Sequence, residues 1–136
     1  MANMSSYLEE KILDHVLRNI EYTPPSTVYV GIVSDSATDS ELEAGTLTNE
    51  ITGYTGDRKS VSFTAISQNG DGEAETENTA LIEFESMPAC TIAYAIVCDA
   101  ATGGNILFWG AATESKTSNS GDTHQVPAGN ITIDLD

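Results

Sequence analysis

The chain has 136 residues, 40% of them hydrophobic, with five Lys and Arg against 21 Asp and Glu for a formal charge of -16. That length and apolar content suit one domain with a single core. The charge argues against nucleic acid, because affinity for phosphate comes from clustered cations, and against an anionic membrane surface for the same reason.

The basic residues are scattered as Lys11, Arg18, Arg58, Lys59 and Lys116, with no compensating patch along the sequence. No stretch approaches the roughly 20 apolar residues of a membrane helix. The opening MANMSSYLEE lacks the basic and apolar blocks of a signal peptide, so a cytosolic chain is expected.

Ser6 and Glu9 have capping-box spacing, which predicts a helix over about 6–20. Leu8, Ile12, Leu13, Val16, Leu17 and Ile20 supply a helical apolar stripe expected to pack on a sheet, or alternatively to bind a partner. Thr23-Pro24-Pro25 is expected to stop it. Thr27 to Val33 is β-branched and apolar on both faces, as an interior strand would be. Asp35 to Asp57 is rich in acids, contains Gly45, Gly53 and Gly56, and shows no sustained period, so it reads as a long acidic loop.

Ser60 to Ala65 alternates apolar and polar residues, Asn69-Gly70 marks a turn, and Thr79 to Phe84 resumes strand character. Thr91 to Cys98 is apolar on both faces and predicts a central strand, paired antiparallel with Asn105 to Ala111 through the loop from Asp99 to Gly104. Val126-Pro127-Ala128-Gly129 is the last turn, and Asn130 to Asp136 alternates Ile131, Ile133 and Leu135 with polar residues. The pattern predicts a single domain over 1–136, mostly β: an antiparallel β-sandwich, jelly-roll-like, with one N-terminal α-helix. A closed barrel is the alternative.

Cys90 and Cys98 would lie roughly 26 Å apart on a continuous strand, at about 3.3 Å per residue. That is far beyond the Cα separation of about 7 Å that a disulfide tolerates, so both thiols are expected to be reduced. The acids Asp71, Glu73, Glu75 and Glu77 after Asn69 suggest calcium only superficially. Counting from Asn69, an EF-hand loop would need Gly and Glu where Ala74 and Ala80 stand. His15 and His124 have no close-spaced Cys or His ligand partner for zinc, and Gly103-Gly104 lacks the lysine of a phosphate-binding loop. The expectation is no catalytic residue, no metal and no cofactor.

The opening SSYLEEKILDHVLRN followed by YTPPSTVYVGI, and the closing DAATGGNILFWGA with SGDTHQVPAGNITIDL, resemble a family of small tailed-phage virion proteins often labelled tail-fibre-like or structural. The resemblance implies a component of the phage particle. Within that class the expected role is capsid decoration or cement, on the capsid exterior after residence in the host cytoplasm. The expected partners are the major capsid protein and further copies of the chain. A tail, baseplate or fibre component is the alternative, and a carbohydrate-binding module using Tyr22, Tyr54 and Trp109 a third. The expected interface comprises Ala2, Asn3, Met4, Ser5 and Tyr7 of the N-terminal segment, with Leu42, Leu47, Ile51 and Tyr54 of the long loop.

Overall fold

The structure, a computed structural model, describes residues 2–136. Its elements in chain order are β1 (Asn3–Met4), α1 (Ser6–Leu17), β2 (Val28–Ser34), α2 (Asp39–Glu43), β3 (Lys59–Val61), β4 (Ser67–Gln68), β5 (Ala74–Glu77), β6 (Ile82–Phe84), β7 (Cys90–Cys98), β8 (Ile106–Ser118), β9 (His124–Val126) and β10 (Thr132–Leu135). The two runs apolar on both faces, β2 and β7, are neighbours inside a five-stranded antiparallel sheet ordered β1-β8-β7-β2-β3. A three-stranded sheet, β10-β5-β4, and a two-stranded sheet, β6-β9, form a second layer. The result is mostly β and sandwich-like, with antiparallel sheets and a helix near the N-terminus.

Strand residues of the large sheet divide between its faces, as the two-residue period requires. Val30, Ile32, Ile92 and Val97 face the second layer, where Ile82, Phe84, Met87 and Ile133 complete one core. Val33, Ile96, Cys98, Ile106 and Trp109 face the other way and are covered by Ala37 and Leu42. A bulge between Ile92 and Tyr94 changes which residues of β7 meet each core.

The segment read as a long acidic loop, residues 35–57, is largely irregular, but it carries a short helix and sends Ala37, Leu42, Ile51 and Tyr54 into the interior. Thr38 and Glu41 form a reciprocal capping box that starts α2. Beyond it, the Ile51 amide donates to the Ile32 carbonyl at 2.9 Å, extending pairing along the outer edge of β2 past β3. Leu42, Ile51 and Tyr54 are all buried. Periodicity could not show this, because the residues insert singly from irregular backbone.

Three smaller differences have equally local causes. The cap of α1 is Ser5 rather than Ser6: its hydroxyl accepts from the Leu8 amide at 3.3 Å and donates to the Ile106 carbonyl. The helix ends at Leu17, short of residue 20, because Asn19 turns left-handed (φ 56) and the Ile20 amide returns to the Asp14 carbonyl at 3.1 Å. The acidic stretch after Asn69 is the hairpin β4-β5, whose turn is held by the Asn69 side chain accepting from the Asp71 and Glu73 amides at 2.9 and 3.0 Å.

Arg58 fastens the long segment to the rest of the molecule. Its guanidinium donates to Glu50 at 2.5 and 2.7 Å, and to the carbonyls of Ala100 and Gly103 at 2.8 and 2.7 Å. The pair is buried against Gly31, where a Cβ would stand only 2.9 Å from a Glu50 oxygen. Burial by itself lowers the Arg58 pKa, but the bonds and charge of Glu50 outweigh it and leave the group above its ordinary value. Arg58→Met leaves the Glu50 carboxylate and two loop carbonyls without partners, and should cost about 3–5 kcal/mol in urea unfolding. Adding Glu50→Leu should recover only part of that loss, because the Ala100 and Gly103 carbonyls stay unpaired.

His124 of β9 lies 6.1 Å from Phe84, ring centroid to centroid. Burial first, and the Lys116 charge second, hold its pKa below 6.5. In the folded chain it is neutral where the unfolded chain already binds a proton, so its contribution to stability declines as pH falls below 6.5 toward the folded value. The difference in unfolding free energy between wild type and His124→Gln should therefore shrink between about pH 7 and pH 5. A difference that stays constant across that range would refute the assignment.

Candidate interaction surface

The N-terminal segment is built into the sheet. Asn3 and Met4 pair with Trp109 and Phe108 of β8, and the Ser5 amide donates to the Leu107 carbonyl at 2.9 Å. Ser5 is buried, Ala2, Met4 and Tyr7 are half-buried, and Asn3 is exposed. Lys11 lies over the Tyr7 ring at 5.6 Å. Of the four loop residues expected at an interface, Leu42, Ile51 and Tyr54 are in the core, and Leu47 is half-buried against it. Tyr54 meets Phe84 edge-on, and burial, with the Glu50 charge next, pushes its hydroxyl up to about 12.

The aromatics considered as a sugar platform do not form one. Trp109 and Tyr54 are buried, and the Trp109 indole donates to Glu43 at 2.9 Å. Tyr22 is half-buried beside the return of the chain along α1, where its amide donates to His15 at 3.2 Å.

The helix departs most from expectation. Leu8 is its only buried residue, whereas Leu13, Val16, Leu17 and the following Ile20 are 57%, 69%, 75% and 45% exposed. Both faces of the large sheet are already covered, so α1 is anchored by its first turn at the end of β8 and does not lie across a face. Leu8 and Ile12 turn inward, while Leu13, Val16 and Leu17, spaced by three and four, share an outward face with Glu9 one turn earlier. The sequence carried this signal: its apolar positions span more than the single stripe a packed helix needs.

A second feature is a half-open groove of about 610 Å³ between the large sheet and the second layer. It exists because β8 leaves register. While β7 advances from Ile92 to Tyr94, β8 runs from Lys116 to Ala111, so Ala112 to Ser115 bow outward. Phe108, Val97 and Ile131 give the groove apolar walls, and Glu114, Lys116 and His124 supply polar ones.

Cys90 and Cys98 are free, and burial pushes the Cys98 thiol up to about 12, away from the thiolate a nucleophile requires. Among the described residues no three His, Cys, Asp or Glu converge to hold a metal ion, and no helix is long and apolar enough to cross a membrane.

No curated protein matches this chain. A family model described as "Podophage GP4 fiber I protein gp80" matches residues 3–134. The match begins at β1 and ends within β10, and so takes in the helix and both layers. The chain belongs to this Gp80 family of phage structural proteins.

Proposed function

We propose that the chain is a non-enzymatic module of a podophage tail fibre, joined to the particle through apolar surface that its own fold leaves open. The observation that carries this reading is the family match over residues 3–134, whose description names a fibre protein. The structure is compatible in kind: a pinned β framework with an exposed helix face and a groove is suited to assembly, since association is driven by apolar surface removed from water.

Capsid decoration is the second reading, favoured by the small two-layered β framework and by a sequence with no elongated repeat. Such a protein stabilises the shell by binding the assembled form and not its free subunits, and bridging neighbouring capsomers multiplies the effect. Its partner would be the major capsid protein, and its place the capsid exterior.

Quantitative mass spectrometry of purified virions separates the two. A fibre module should be present at a small fraction of the copy number of the major capsid protein. Near-equal amounts would replace the fibre reading with shell-wide decoration, and absence from clean particles would overturn both.

A further inference from the structure

We propose that the outward face of α1 in one copy of this chain seats in the groove of a second copy, joining copies head to tail. The fibre reading gives this contact its use, while the contact itself is argued from the two surfaces.

The surfaces match in chemistry. Leu13, Val16 and Leu17 form a largely exposed aliphatic ridge, and the groove offers apolar walls in the half-buried Phe108 and Ile131. Their charges are compatible as well. Glu9 and Glu10 occupy the first turns of α1, and the groove has Lys116 on its wall, one of only five basic side chains in a chain of charge -16. Glu114 stands on the same wall, so the groove is locally balanced while the molecule as a whole is acidic.

Their positions also suit a repeating contact. Helix α1 is hooked to the Ile106–Leu107 end of β8, whereas the groove runs along the same strand from Phe108 to Lys116. A copy that used its helix would keep its groove free, and the reverse. Contacts between two different patches do not saturate in a pair: they close into a ring or extend as a filament. A three-turn helix presents little area, below the roughly 1,200 Å² of a strong interface, so the free chain should associate weakly, with a Kd of about 0.01–1 mM. Like charge opposes it at long range, and added salt should strengthen it by screening.

Sedimentation of the full chain over a concentration series tests the contact. The wild type should form species larger than a dimer as concentration rises. Val16→Gln combined with Leu17→Gln, at exposed helix positions, should weaken association at least tenfold, and so should Ala112→Trp at the mouth of the groove. Circular dichroism checks that each variant is folded, and Lys116→Glu provides a second groove variant should Ala112→Trp fail to fold. An equimolar mixture of the helix and groove variants retains one intact helix and one intact groove, and should stop at a heterodimer.

Two results would overturn the proposal. Undiminished self-association of the folded groove variants would show helix meeting helix, and a wild type that remains monomeric to about 1 mM would show that the face serves another protein of the particle or none. A monomeric chain that is nevertheless present in virions refutes the contact and leaves the fibre reading intact. A chain that assembles but is missing from virions does the opposite.

Discussion

The buried Arg58–Glu50 pair is the constraint on which the interior depends. Glu50 comes from the segment that continues the outer edge of β2, Arg58 from the entry to β3, and the accepting carbonyls of Ala100 and Gly103 from the loop joining β7 to β8. One guanidinium therefore fixes three irregular stretches that no ladder of strand hydrogen bonds could hold. The site is possible only because Gly31 leaves the space over β2 empty. Its orientation has the bidentate geometry that makes arginine, and not lysine, suited to this position. Replacing a charged pair by apolar groups can be neutral where the charges serve only each other; here two backbone acceptors also depend on the cation.

With that segment held, the large sheet has both faces covered, and the position of α1 follows. The second layer occupies one side, and α2 with Ala37 and Leu47 covers the other. A helix arriving at the β8 edge finds no apolar sheet face left to cover. It is retained by the Ser5 hook and by Leu8, and its remaining apolar side chains stay in contact with water. The groove has a separate cause: β8 loses register with β7 and bows out at Ala112 to Ser115, beyond Phe108 and Trp109 where β1 pairs.

The parts of the fold legible in the sequence were those governed by regular period and local turn chemistry. Strands β2 and β7 announced themselves as two-sided apolar runs, and the β7–β8 hairpin by the short loop between them, which Asp99 closes by accepting from the Asn105 amide at 2.7 Å. The Asn69 turn and the turn ending at Gly129 were equally plain. Strand β5 was hidden because Glu75 and Glu77 alternate with small residues and none of the four is fully buried. The interior role of Leu42, Ile51 and Tyr54 was hidden for a different reason: each belongs to the core through a contact far away in sequence, and single insertions leave no period to detect. The candidate surface was half visible. The helix stripe could be read, but its exposure depends on what else covers the sheet, and the groove depends on a register shift that composition does not encode.

Strong negative charge and uncovered aliphatic surface are usually opposed features of one chain, and here their combination has a physical logic. An exposed face of Leu13, Val16, Leu17 and Ile20 on a neutral protein would invite indiscriminate association. A charge of -16 adds a repulsion that other acidic chains, copies of this one included, meet within the roughly 8 Å over which charge acts at physiological salt, and that a fitted contact must overcome. Poorly matched encounters then gain too little apolar burial to offset the repulsion, whereas a complementary groove or a correctly placed site on the particle gains enough. In the proposed contact the acidic surface would act as a threshold on association, and the apolar face would supply the term that crosses it when geometry is right.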